Sequence, residues 1–247
     1  MPISVCMAVY NGEKFLKEQI ESILLQLGDK DELVIVDDCS TDNSVIIINS
    51  FTDNRIKLHL NNKNSRHVIT FGKAIELSQN EIIFLCDQDD IWIKERAKTF
   101  IDYFQKMENV KLITSNFLCV NENGNIINNP LPIVSTEESF KYLRNISKIF
   151  LGNIGYYGCS MAFRNELKPF ILPIPDYIEA HDLWIALIAN MLKINLHIEE
   201  KTLYHRIHSK SASEIARKRK LIRKIITRVN YFKAINEIQK RKKIVYN

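Results

Sequence analysis

Glycine and proline are scarce in this chain, at seven and six of 247 residues. That scarcity excludes a collagen-like or low-complexity chain and argues against long disordered stretches. A Cys-x-x-Cys pair is also missing. The five cysteines, Cys6, Cys39, Cys86, Cys119 and Cys159, are dispersed and odd in number. They fit free thiols in a reducing compartment and offer no zinc-ligand spacing. Long apolar runs are absent too: the longest, Leu183 to Ala189, is far too short to span a bilayer. Met1-Pro2-Ile3-Ser4-Val5 lacks the basic and apolar regions of a signal peptide. Together these absences lead to the expectation of a cytoplasmic protein, soluble or peripheral to a membrane. No internal repeat is present.

What remains is an ordinary globular composition, 46% hydrophobic and 26% charged, long enough to bury a substantial core. The net charge of +5 is unevenly spread. From Glu214 to Asn247 there are twelve Lys/Arg against two Glu, whereas residues 1–213 carry 22 Lys/Arg against 27 Asp/Glu. A slightly acidic body therefore precedes a strongly basic tail.

In the first half, strand and helix patterns alternate. Ile3 to Val9, Leu33 to Val36, Ile56 to Leu60, Ile82 to Cys86 and Val110 to Val120 read as strands. Gly12 to Leu27, Asn43 to Phe51, Val68 to Ser78 and Ile93 to Lys106 read as helices. Asn123-Gly124 marks a tight turn into Ile126-Ile127. Several strands are almost continuously apolar, which predicts a mostly parallel sheet covered on both faces. In the second half, Gly155 to Phe163 reads as a loop entering a strand and His181 to Leu192 as a helix. Ile194 to Ile198 and Thr202 to Arg206 read as two short strands.

Ligands of such sheets lie outside the carboxyl ends of the strands, where strand order reverses. Polar residues collect at those ends: Tyr10-Asn11 after the first strand, Asp37-Asp38 after the second, and Asp87-Gln88-Asp89-Asp90 after the fourth. Three carboxylates within four residues, at the end of a buried strand, repel one another. A divalent cation would compensate, and oxygen ligands suit Mg²⁺ or Mn²⁺. A solvated acidic turn capping the next helix is the plainer alternative.

These pieces, in order, resemble glycosyltransferase family 2, the inverting nucleotide-sugar transferases of the GT-A fold. The matching residues are Ser4 to Gly12, Val36 to Asp42, Asp87-Gln88-Asp89-Asp90, Gly158-Cys159-Ser160-Met161 and His181-Asp182-x-Trp184. The form Asp-Gln-Asp-Asp-Ile-Trp is most similar to bacterial rhamnosyl-, galactosyl- and glucosyltransferases of surface-polysaccharide assembly. The resemblance covers roughly residues 1–213, a nucleotide-sugar-binding half (1–120) and an acceptor-binding half (121–213), with residues 214–247 as a basic amphipathic helical tail.

The resemblance implies a role for each motif. Ala8, Val9, Tyr10 and Asn11 frame the nucleobase, and Asp38 accepts a hydrogen bond from its ring N–H. Asp87 supports the ribose or a metal-bound water, and Asp89 binds the metal, with His208 as a third ligand. Arg206 grips the diphosphate. Asp90, Gly158, Cys159, Ser160 and His181 contact the sugar or the acceptor. Asp182 is the general base. A one-step inverting displacement needs one carboxylate on the far side from the metal to take the acceptor's proton. The chain has His181-Asp182 where many relatives have Glu-Asp, which also brings Glu179 into view. Simple N-capping of the helix by Asp182 is the structural alternative.

The implied donor is a UDP- or dTDP-sugar. The implied acceptor is a saccharide linked to a polyprenyl diphosphate, used on the inner face of the bacterial plasma membrane. In the tail, Ile215, Leu221, Ile222, Ile225, Ile226, Val229, Phe232, Ile235 and Ile238 recur at helical spacing among basic residues. Such a helix over 214–243 suits an anionic membrane surface. Packing on the body, or on a second subunit as a homodimer, is the alternative. Nucleic acid is disfavoured, because no recognition motif accompanies the charge. Two other readings remain. A haloacid-dehalogenase-like phosphatase would place its Asp-x-Asp after the first strand. A non-catalytic nucleotide-sugar-binding scaffold would lack the carboxylates.

Overall fold

The computed structural model describes residues 1–208 and 221–246, with the side chains of 221–227 and 246 left aside. Its strands are β1 (Ile3–Val9), β2 (Glu32–Asp37), β3 (Ile56–Leu60), β4 (Ile82–Cys86), β5 (Ile91–Trp92), β6 (Leu112–Val120), β7 (Met161–Arg164) and β8 (Asn195–Arg206). Its helices are α1 (Leu16–Leu24), α2 (Ser44–Asn49), α3 (His67–Leu77), α4 (Arg96–Lys106), α5 (Tyr142–Leu151), α6 (Lys168–Ile171), α7 (His181–Leu192) and α8 (Leu221–Tyr246).

All eight strands join one sheet in the order β3-β2-β1-β4-β7-β6-β8-β5. The β1–β2, β1–β4, β2–β3 and β6–β8 pairs are parallel; β7 runs antiparallel to β4 and β6, and β5 to β8. Alternation along each central strand feeds two cores. Cys6, Val34, Val36, Ile83 and Leu85 face α3, α5, α6 and α7, while Val5, Met7, Leu33, Ile35, Ile82 and Phe84 face α1 and α4. This period of two is why the strands read as continuously apolar: both faces are covered.

The register decides where the site forms. Val9 pairs with Asp37 and Met7 with Cys86, so β1, β2 and β4 end side by side. Because β1 lies between β2 and β4, strand order reverses at β1, and a crevice opens at its carboxyl end.

The structure departs from the expected elements in three places. Ile194 to Ile198 and Thr202 to Arg206 are one strand, β8, whose exposed Glu199, Glu200 and Lys201 lie where its register with β6 shifts. The helix expected from Ile93 starts at Arg96, because Ile91 and Trp92 pair with Tyr204 and Leu203. Helix α5 had no counterpart in the sequence reading; it buries Asn145 and Ile149 and ends at Gly152 with φ 69°, a left-handed cap that glycine adopts without strain.

The basic tail divides in two. Ile215, Arg217, Lys218, Arg219 and Lys220 lie outside the described residues. Further along, Tyr231, Ala234 and Ile238 are buried in the core beside α6 and α7. Arg241 donates to the carbonyls of Phe170 (3.0 Å) and Pro173 (2.8 Å) and stands over the Trp184 ring. The expected lipid-facing stripe is corrected at its C-terminal end: Ile238 is buried and Ile235 packs on the body, so neither is available to a membrane, whereas Val229 and Phe232 are exposed and the side chains of Leu221, Ile222, Ile225 and Ile226 lie outside the description. Among the described residues no helix is long and apolar enough to cross a membrane.

Candidate functional site

The crevice at the end of β1 is the mouth of a cavity of about 1500 Å³. Ala8, Val9, Tyr10, Asn11, Asp38, Asp87, Asp89, Gly158, His181, Asp182, Arg206 and His208 all line it. Two strand ends are locked together there. The Gln88 side chain accepts from Tyr10 N (2.9 Å) and donates to Tyr10 O (3.2 Å). A Cβ on Gly12 would lie 2.5 Å from Gln88 Oε1, so glycine is needed for that clamp to close. Asn11, at φ 50°, receives Thr41 N at 2.8 Å and donates its own N–H to Ser40 Oγ at 2.9 Å.

Asp38 is buried and organises the loop before α3. Its carboxylate accepts from Asn61 Nδ2, Ser65 N and Arg66 N at 2.8–2.9 Å. A carboxylate offers roughly four acceptor positions, which leaves room for one further donor from the cavity. Asp37 instead turns back to accept from Ser40 N at 2.9 Å.

The acidic cluster is electrostatically loaded. Asp87 is pushed well above the usual carboxylate range, by burial first and then by the Asp90 and Asp89 carboxylates; Asp182 adds to the push and His205 opposes it. Asp89 Oδ2 lies 2.7 Å from His208 Nε2. A divalent cation at Asp87, Asp89 and His208 would relieve this repulsion, and carboxylate with imidazole donors suits Mn²⁺ or Mg²⁺. Donors of the right kind therefore face the cavity, although this set of three does not close to within 4.8 Å of one another as the next group does. A tighter group, Asp90, Cys159 and His205, has ligand atoms within 4.8 Å of one another. It suits a hard cation poorly, because a sulfur ligand favours softer metals than Mg²⁺ or Mn²⁺.

Several expected contacts take other roles. Asp90, Cys159 and Ser160 are buried behind the cavity wall and do not line it. Asp90 Oδ1 meets His205 Nδ1 at 2.9 Å and accepts Arg206 N at 3.0 Å, so Asp90 braces β8 rather than a sugar. Burial opposes charge on His205, but Asp90 raises its pKa to about 9. Arg206 is likewise a brace. Its guanidinium donates to Asp89 O, Asn121 O, Glu122 O and Glu18 Oε2 and stacks 4.5 Å from the Phe15 ring. Four of its roughly five donors are thus spent on protein, while the residue itself lines the cavity.

At the other wall, α7 presents His181 and Asp182. The N-cap of α7 is Ala180, so Asp182 is not the cap; it sits in the first turn and accepts Leu183 N at 2.7 Å. His181 is buried, its ring stacked 4.0 Å from Phe71, and neither ring nitrogen has a hydrogen-bond partner. Burial, aided by His67, holds its pKa down to about 3, so the ring is neutral. A Cβ on Gly158 would lie 2.7 Å from His181 Nε2. Other wall residues escaped the sequence reading. Gln88 sits inside the acidic motif and was legible there, whereas Phe15, Arg66, Phe71 and the α5 segment Ile149 to Gly152 carry no local signal.

Known proteins share these features. The sequence model of "Glycosyl transferase family 2" matches residues 4–168. An "Uncharacterized glycosyltransferase MJ1057" of Methanocaldococcus jannaschii is 30% identical over 211 residues, 83% of this chain and 70% of that one. The Escherichia coli protein WfgD, a "UDP-Glc:alpha-D-GlcNAc-diphosphoundecaprenol beta-1,3-glucosyltransferase", is 28% identical over 188 residues, 75% of this chain and 69% of that one. The crystal structure of S. aureus TarS 1-349 in complex with UDP-GlcNAc superposes with a TM-score of 0.66 at 20% identity; the match covers 85% of this chain and 60% of that one. The fold is therefore shared, and two fifths of that chain has no counterpart in the match. Family model, strand-end carboxylates and fold agree: this chain is a glycosyltransferase and belongs to glycosyl transferase family 2.

Proposed function

We propose that the protein moves a hexose or deoxyhexose from a UDP- or dTDP-sugar, with inversion, to a hydroxyl of a lipid-linked saccharide in bacterial surface-polysaccharide assembly. One observation carries the reading. Asp182 shares a cavity with Asp87 and Asp89, and its charge is among those that raise Asp87. A base and an acidic cation site thus face one space, as single displacement requires.

The nucleobase lies against Ala8 to Tyr10 and donates its ring N–H to the remaining acceptor position of Asp38. Asp87 and Asp89, with His208, hold Mn²⁺ or Mg²⁺, which when bound supplies Lewis-acid stabilisation of the departing diphosphate. Asp182 takes the proton of the acceptor hydroxyl as its oxygen bonds to the anomeric carbon and the bond to the diphosphate oxygen breaks. The neutral His181 ring offers one donor and one acceptor to sugar hydroxyls, in space kept open by Gly158. A lipid-linked acceptor is favoured by the activity for which the relative WfgD is named and puts the protein at the inner face of the plasma membrane.

The test is a screen of UDP- and dTDP-sugars with Mn²⁺ or Mg²⁺, scored by nucleoside diphosphate formed when a polyprenyl-diphosphate saccharide is added. Acceptor-dependent release from one donor class is expected. Donor binding without release under any acceptor would favour the scaffold reading instead.

A further inference from the structure

Helix α8 packs one side on the body and leaves the other bare. Turned away from Tyr231, Ala234 and Ile238 are Val229 and Phe232, which are 51% and 63% exposed. Phe232 meets the ring of Phe150 on α5 at 5.0 Å, and Arg228 Nε donates to Phe150 O at 3.3 Å. Residues 228–232 of α8 and the end of α5 therefore form one surface. On α5, Leu143 and Leu151 are 81% and 67% exposed. A globular surface seldom leaves this much large apolar side chain grouped and uncovered without a use.

Two further observations say what covers it. The first is charge. Lys141, Arg144, Arg228 and Lys233 are exposed among these apolar groups. Arg144 lies 3.5 Å from the Glu138 carboxylate, and the group as a whole remains positive. Such a face repels a second copy of itself and attracts an anionic one. The second is position. Phe150, Leu151 and Arg228 also line the cavity that holds Asp182, so whatever covers this face stands at the cavity's rim.

We propose that the exposed side of α5 and residues 228–233 of α8 dock on an anionic lipid bilayer, with Leu143, Leu151, Val229 and Phe232 entering the interface and Lys141, Arg144, Arg228 and Lys233 meeting lipid headgroups. Apolar burial combined with basic residues is what binds a surface helix to such a bilayer. Docking then brings the cavity rim to the headgroup layer, where the diphosphate end of a lipid-linked acceptor lies. The value of that position rests on the reading of the cavity given under Proposed function; the docking itself does not.

The experiment is co-sedimentation of the full chain with vesicles of equal parts phosphatidylglycerol and phosphatidylcholine, or of phosphatidylcholine alone. Wild type is compared with Leu143→Glu/Phe232→Glu. Both side chains are exposed and neither lines the cavity, so the thermal midpoint should be unchanged. Wild type is expected to bind the anionic vesicles ~10-fold better than the neutral ones, and the double variant to lose ~10-fold in anionic binding. Equal binding by the variant, or no preference for anionic lipid in wild type, would overturn the proposal. So would a wild-type dimer that the substitutions split without any vesicle binding, since a second copy would then be the occupant. Sugar transfer to a water-soluble acceptor is measured in parallel. Vesicle binding without any transfer would count against the proposed reaction and leave the docking surface standing; transfer without vesicle binding would do the reverse.

Discussion

Asp89 Oδ2 lies 2.7 Å from His208 Nε2, so a carboxylate just after β4 and an imidazole just after β8 meet across 119 residues of sequence. Arg206 fixes the approach by donating from Nε to Asp89 O, while its backbone N–H donates to Asp90. The pair opens onto the cavity, where a cation would complete it.

Asp89→Asn and His208→Ala should both reduce metal-dependent transfer. Loss of the carboxylate should cost about 10²–10³ in rate, and loss of the imidazole should cost less and raise the metal concentration needed for half-maximal rate. Titration of activity with Mn²⁺ in each variant checks this. Equal activity of wild type and Asp89→Asn in a chelator would contradict it.

Gly158→Ala would put a methyl group 2.7 Å from His181 Nε2. That ring is stacked on Phe71 and cannot yield freely, so overpacking of about 1–3 kcal/mol is expected, together with weaker donor binding. Urea unfolding and donor titration read the two effects. An unchanged variant in both would show that the ring has room to move.

Much of this was legible in the sequence. β1 and β4 fall where apolar runs placed them, because parallel strands buried on both faces leave no polar interruption. The strand-end carboxylates were visible for the same reason: they are the first polar groups after such a run. The partners of Asp90 and Arg206 carry no local signal because they lie more than 80 residues away, His205 for Asp90 and Asn121, Glu122 and Glu18 for Arg206. Cys159 and Ser160 follow a cavity residue directly, yet a short 3-10 turn over Gly158–Ser160 buries them. Periodicity gave the tail its helix but not which side packs; that was set by Trp184, Phe170 and Pro173 receiving Arg241.

Acid should destabilise the fold through buried histidine. His197 is buried against Tyr156 Oη at 2.8 Å, and burial holds its pKa down to about 4. The unfolded chain takes that proton near the ordinary 6.5, so between these values the unfolded state binds more protons and stability rises with pH. The contribution is fully present above pH ~6.5 and lost as pH falls towards ~4, by an amount on the order of 3 kcal/mol. Urea midpoints across that range, in wild type and His197→Gln, should show a shallower slope in the variant. Parallel slopes would contradict it.

The thiols offer a direct check on burial. Cys6, Cys86, Cys119 and Cys159 are buried and Cys39 is half-buried. Burial pushes the Cys6 thiol up to about 12 and Cys119 to about 11. At about pH 8 a thiol reagent should modify Cys39 alone in the native protein and all five cysteines after denaturation. Two or more fast native thiols would contradict the packing.

The most direct measurement is single-turnover sugar transfer by Asp182→Asn at saturating donor and metal, with donor affinity measured alongside. Removal of the base should slow transfer by about 10²–10⁴-fold while donor affinity and thermal midpoint stay near wild type. A transfer rate within about threefold of wild type would mean that another group takes the acceptor's proton, and the role assigned to Asp182 would be wrong.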